Sequence, residues 1–232
     1  MFELLDAAFH WTNLLQPQWY IENGGLWILL LIIFAETGLF IGFFFPGDSL
    51  LFVSGIYSTS LAKWLFDTGN DFTNLLMIMV LVTLAGIIGN FVGYWFGKKS
   101  GPALYNRKDS FLFKQRYLQQ AKSFYEKNGG FTIIVARFIP FVRTFAPIVA
   151  GIVKMDAKKF AFYNIVGCIA WVFSLMMLGH YLYSFLLSKY NYDLTEHLEL
   201  IVLGIVVVTT LPVILKLIKG KKKKPLEEIE PE

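Results

Sequence analysis

Charge is what this 232-residue chain has least of: Asp, Glu, Lys and Arg make up 16% of it, where a soluble domain carries about a quarter. The scarcity is local. Between Leu26 and Leu61 the only charged residues are Glu36 and Asp48, and between Asn128 and Val153 only Arg137 and Arg143. Apolar stretches of that length are not surface helices, which excludes a soluble enzyme, a nucleic-acid module and a disordered scaffold. Cysteine is nearly absent as well. Cys168 stands alone, so neither a disulfide framework nor a cysteine metal cluster can form within the chain. From Met1 to Gly25 there is no Lys or Arg, only Glu3, Asp6 and Glu22, and no basic n-region of a signal peptide is visible.

Hydrophobic residues make up 56% of the chain, and the net charge of +4 comes from basic residues that flank the apolar runs. There they read as cytoplasmic anchors rather than as a nucleic-acid surface. Residues 1–25 form an interfacial segment, with Phe2, Leu5, Phe9, Leu14 and Leu15 at roughly helical spacing before Pro17. Residues 26–61 are long enough to span, but Gly38, Gly42 and the turn Pro46-Gly47-Asp48-Ser49 argue against one continuous helix. Residues 75–97 are uninterrupted, and Gly86, Gly89, Gly93 and Gly97 supply a face for close helix contact rather than a substrate groove. Residues 98–127 hold eight basic and two acidic side chains and predict an amphipathic helix on the anionic cytoplasmic leaflet. Residues 131–153 are apolar but broken by Pro140, Pro147 and Gly151. Two further spans follow, 160–187, entered after a candidate N-cap at Asp156, and 199–218. The charged tail 219–232 closes the chain and is too polar to pack a core.

Charge parity decides how the broken segments sit. A full crossing by 131–153 would put the basic loop before it and Lys154, Lys158 and Lys159 after it on opposite sides, against the positive-inside rule. If the segment dips in and returns, every basic cluster and the C-terminus are cytoplasmic together. By the same reasoning 26–61 dips in from the outside. The predicted fold is an all-α polytopic membrane protein, an inverted repeat with two opposed re-entrant helical hairpins plus about three full transmembrane helices.

Glu36, Asp48, Arg137 and Arg143 are therefore intramembrane charges, each costing at least ~2.5–3.5 kcal/mol unless paired or hydrated. They form a neutral set that either only pairs, tying the hairpins together, or works. Arginine carries a fixed charge on a planar fork that suits a phosphate in a dry place. A carboxylate there can take up a proton, so the pair of signs makes a coupling device. The weaker signals have plainer readings. His180 is a buried polar residue bonded to a neighbour rather than a proton relay. Asn164 and Trp171, seven apart on one face of a span, pack on or hydrogen-bond to the second hairpin. Cys168 is a small core residue.

The segments Glu36-Thr-Gly-Leu with Phe45-Pro-Gly-Asp-Ser-Leu-Leu51, and Arg137-Phe-Ile-Pro-Phe-Val-Arg-Thr144 with Pro147-Ile-Val-Ala-Gly151, closely resemble the two hairpin motifs of the DedA family; Phe160, Asn164, Gly167 and Trp171 match its pattern too. The likeness covers residues 26–185 or so, within a transport core over 26–187. It implies functional acids at Glu36 and Asp48 for proton coupling, and phosphate-binding arginines at Arg137 and Arg143. Gly38, Pro46, Gly47, Pro140, Pro147 and Gly151 would shape the hairpins. Three positions depart from the pattern: Ile41 where many members have proline, Asn90 where many have aspartate, and Tyr183 where a second glycine commonly follows Gly179.

The resemblance implies a transporter in the bacterial cytoplasmic (inner) membrane that moves a lipid phosphate, undecaprenyl phosphate foremost, between leaflets with protons as partner. Expected with it are no cofactor, no metal and no nucleic acid, with a homo-oligomer left open. The rival readings are a proton-coupled exporter of small ions or drugs and a less selective phospholipid scramblase. A lipid phosphatase would want a nucleophilic His with a second His or Asp. Only His180 lies in an apolar span, so no enzymatic activity is expected.

Overall fold

A computed structural model describes residues 17–39, 47–105, 123, 125, 129–190, 193, 194 and 204, with the backbone alone at 17–24, 102–105, 140 and 141. Among them no strand occurs. The helices are α1 (Pro17–Gly38), α2 (Gly47–Ile56), α3 (Ser58–Ala62), α4 (Asp71–Tyr105), α5 (Phe131–Ala136), α6 (Pro140–Ile152) and α7 (Ala157–Tyr190). Two of them, over Asp71–Gly101 and Ala157–Tyr190, are long and apolar enough to cross a membrane. The hairpin tip with Ile41 and Pro46, the last span at 199–218 and the tail lie outside the described residues, as does most of the interfacial segment and of the basic stretch beyond Tyr105.

Local chemistry explains the boundaries. α1 runs through the expected limit of the interfacial segment, but Gly25 there has φ 54° and breaks the helix, which leaves Gly25–Gly38 as the apolar piece. α4 outlasts the apolar run at 97. Lys98 and Lys99 do not end a helix, because their stems can lie along it while their ammonium groups reach outward; Lys99 Nζ sits 5.1 Å from the Trp95 ring centre. The second broken segment parts at Arg137–Ile139. Ile139 is extended (φ −114°, ψ 108°), as a residue before proline must be, and Pro140 opens α6. Asp156 does cap α7, its Oδ1 accepting the Lys159 N–H at 2.9 Å.

The short helices are shared out between the two long ones. α1 and α6 pack on α4, while α2 and α5 pack on α7. One apolar cluster, including Leu29, Ile33, Leu51, Phe52, Ile78, Val82, Trp171 and Met176, joins α1, α2, α4 and α7. A smaller one joins Tyr94, Ile133, Ala150 and Phe160, with Tyr94 stacked on Phe160 at 4.4 Å. Between the two clusters, α4 offers the run Gly86–Asn90 and α7 the run Asn164–Cys168. The outer faces stay apolar: Leu76, Val80, Leu84, Ile88 and Trp95 on α4, and Phe162, Ile169, Phe173 and Phe185 on α7, are all exposed. A helix bundle whose outside is as greasy as its inside suits hydrocarbon as its solvent.

The glycine face expected on α4 is a packing face. A Cβ at Gly38 would lie 2.6 Å from the Gly89 carbonyl oxygen, and one at Gly89 would lie 2.6 Å from that of Phe34. Backbone meets backbone there, which only paired glycines permit.

Candidate functional site

Arg143 lies on the inward face of α6, flanked by exposed Val142 and Phe145 that take the outer side. Its guanidinium fork is filled at both ends. Nη2 donates to Glu36 Oε1 and Nη1 to Asp48 Oδ1, so one arginine from the second broken segment binds an acid from each side of the break in the first. Glu36 (1% exposed) and Arg143 (8%) are buried, and Asp48 nearly so. Gly47 makes the approach possible, since a Cβ at that position would strike the Glu36 carboxylate. Pro147 stands four residues after Arg143 inside α6 and donates no backbone hydrogen bond to the Arg143 carbonyl.

Trp171 completes this half of the site. Its indole Nε1 donates to Asp48 Oδ1 at 2.8 Å, and its ring lies 4.9 Å from the Arg143 guanidinium carbon, a cation–π distance. Trp171 packs on the second hairpin through Arg143, as expected, while its hydrogen bond goes to the first. A tryptophan N–H buried in a span must find an acceptor, and Asp48 is the one it finds.

Arg137 is treated differently. It closes α5, is 5% exposed, and donates through Nη2 to Asn164 Oδ1 on α7. No carboxylate pairs with it among the described residues, and its Nε is buried without a hydrogen-bond partner. Asn164 does bond the second broken segment, as expected. Its Nδ2 donates to the Ile87 carbonyl of α4 at 3.3 Å, and the Cys168 sulfur lies 3.9 Å from its Oδ1. Asn90 continues the polar thread, Nδ2 donating to the Gly86 carbonyl at 2.7 Å and lying 3.7 Å from the same sulfur.

The four charged residues singled out in the sequence thus come together, but as a triad of Arg143 with both acids and, among the described residues, an Arg137 without a carboxylate, rather than two pairs. Of the hairpin-shaping set, Gly38 and Gly47 mark close approaches, Gly151 packs against the Tyr94–Lys98 turn of α4, and Pro140 and Pro147 sit in α6. His180 stands apart from the arginines: it is buried, with Nε2 3.4 Å from Asp71 Oδ2 at the start of α4. Among the described residues no three or more His, Cys, Asp or Glu side chains gather as a metal site would require.

The VTT domain matches residues 45–181. The chain is 40% identical over 205 residues to "Protein DedA" of Escherichia coli, covering 87% of each. It is 32% identical over 228 residues to an uncharacterized membrane protein of Mycobacterium tuberculosis, 94% of each. It is also 30% identical over 181 residues to "Inner membrane protein YqjA" of Escherichia coli, 74% of this chain and 78% of that one. No solved structure matches. On the domain match and the first of these relatives, the chain belongs to the DedA family of VTT-domain membrane proteins.

Proposed function

We propose that this protein moves a lipid phosphate, undecaprenyl phosphate by its family likeness, between the leaflets of the bacterial cytoplasmic membrane, as a transporter and not an enzyme, with protons as the coupled ion. The observation that carries this reading is the unequal treatment of the two buried arginines. Among the described residues Arg143 holds two carboxylates while Arg137 has a neutral amide and no carboxylate. Arg137 then needs an anion to complete it, and a phosphate is the anion its planar fork fits. When that phosphate also reaches Arg143 it displaces a carboxylate, and a carboxylate displaced in a dry site leaves most cheaply as the protonated acid. The prenyl tail stays in lipid, against the apolar outer faces.

The helix lengths support re-entrant hairpins. α2 and α6, of 10 and 13 residues, rise about 15 and 20 Å, short of a hydrocarbon core of about 30 Å. The packing supports an inverted repeat. In the first half, α1 packs on its own span α4 and α2 on the other span; in the second, α5 packs on its own span α7 and α6 on the other. That exchange is what a two-fold axis in the membrane plane produces, with the site on the axis.

Leaflet exchange in proteoliposomes tests the reading. Labelled undecaprenyl phosphate should cross far faster than a neutral phospholipid. Equal rates for both would favour the less selective scramblase, and no exchange of either, with proton-driven movement of small ions, would favour the exporter.

A further inference from the structure

We infer that Asn164 sets the charge specificity of the site: its amide aims Arg137 without placing a carboxylate on the guanidinium, so that the anion in direct contact with it is the one the ligand brings. The inference rests on the lipid-phosphate reading above and adds the residue that makes the site select a phosphate headgroup over a neutral one.

A residue whose only task is to hold a buried arginine in place would best be a carboxylate, and this fold supplies two of them to Arg143. Arg137, equally buried, is given an amide that offers one acceptor oxygen and no charge. The amide cannot turn over. Its Nδ2 is spent on the Ile87 carbonyl of α4, and Arg137, which can only donate, faces Oδ1. The stem of Arg137 is placed from the same helix face. Gly167, three residues after Asn164, leaves room for it, and a Cβ there would lie 3.0 Å from Arg137 Cδ and Nε. The span α7 therefore fixes both the tip and the stem of Arg137. The Nε of Arg137 is buried without a partner, as is that of Arg143, so what sets Arg137 apart is the neutral amide on its Nη2 where Arg143 has carboxylates.

Asn164→Asp would neutralise Arg137 from within and set a carboxylate oxygen against the Ile87 carbonyl. Asn164→Ser keeps a neutral acceptor, and Asn164→Leu keeps the arginine charge but removes the acceptor. Purified protein in phosphatidylcholine nanodiscs is assayed for binding of a long-chain polyprenyl phosphate and of the corresponding polyprenol, and for thermal unfolding. Wild type should prefer the phosphate. Asn164→Asp should lose about tenfold or more of phosphate affinity while still folding cooperatively and retaining polyprenol binding. Asn164→Ser should keep the preference and Asn164→Leu should weaken it. A folded Asn164→Asp with wild-type preference overturns the inference and leaves the transport reading standing. If Asn164→Asp does not fold, an undiminished preference in Asn164→Leu overturns it instead. A wild type indifferent to the phosphate removes the transport reading and this inference together.

Discussion

Arg137 and Arg143 carry the same charge six positions apart, yet one is enclosed by carboxylates and the other by an amide and a glycine. Lysine at either position keeps the charge and loses the fork. At Arg143 a single ammonium has to serve acids that approach two separate guanidinium nitrogens, so Arg143→Lys should cost the equivalent of one charge-assisted hydrogen bond, about 1.5–3 kcal/mol. Thermal unfolding in detergent would show that loss. At Arg137 no second acid depends on the fork, so Arg137→Lys should fold with a melting temperature close to wild type while lipid phosphate binding is abolished or strongly weakened. Lysine variants that bind and transport like wild type would remove both arginines from headgroup recognition. The four charged residues were legible in the sequence because a charge inside an apolar run has few innocent explanations. Their partition was not, because it depends on which acids the fold carries to which arginine across 95 and 107 positions of chain.

At the level of elements, the site exists because two broken segments are pinned between two long helices. The crossing of α1 on α4 is one of the close contacts that hold them, and Gly89 sits against the Phe34 carbonyl, the Thr37 hydroxyl and Gly38. Gly89→Leu should force the helices apart at an overpacking cost of about 1–3 kcal/mol and carry Glu36, one residue before Thr37, away from Arg143. Unfolding temperature and transport should fall together. The hairpin topology has its own check. With Cys168 replaced by alanine, single cysteines at positions 105 and 156 should label from the same, cytoplasmic, face of sealed vesicles. Labelling from opposite faces would make residues 131–153 a full crossing. Of the breakers named in 131–153, Pro140 does part the segment, while Pro147 and Gly151 lie inside α6; Pro140 and the cap Asp156 act through local backbone chemistry that a sequence displays. The junction between the span at 75–97 and the helical stretch read after it is not a break, because apolarity stops at residue 97 while helical hydrogen bonding runs on to Tyr105. Trp171 meets the second hairpin through Arg143, as its face predicts, but its hydrogen bond to Asp48 was not legible, since one helix face at the centre of a bundle meets both hairpins.

Across the whole molecule, α7 touches three of the four charged members of the site: Asn164 holds Arg137, and Trp171 holds Asp48 and lies beside Arg143. With no ligand, Glu36 and Asp48 together outweigh the single charge of Arg143, and the separate charge of Arg137 brings the four to neutrality. An arriving phosphate adds negative charge to a balanced site, and the cheapest way to restore the balance in a low dielectric is to bind a proton on one of the two carboxylates. Substrate binding should therefore take up protons, measurable as a pH change in weakly buffered solution when lipid phosphate is added to the reconstituted protein. Asp48→Asn and Glu36→Gln each remove one negative charge in advance. Either variant should bind lipid phosphate without the proton uptake and should lose the pH dependence of leaflet exchange. The two need not be equal, because Asp48 also answers to the Trp171 indole while the second oxygen of Glu36 is buried without a hydrogen bond. Glu36→Gln gives up one ionic contact to Arg143, and Asp48→Asn gives up one and also weakens the hold of α7, so the aspartate variant should lose more thermal stability. Unchanged pH profiles in both variants would take the acids out of coupling and leave them as anchors for Arg143 alone.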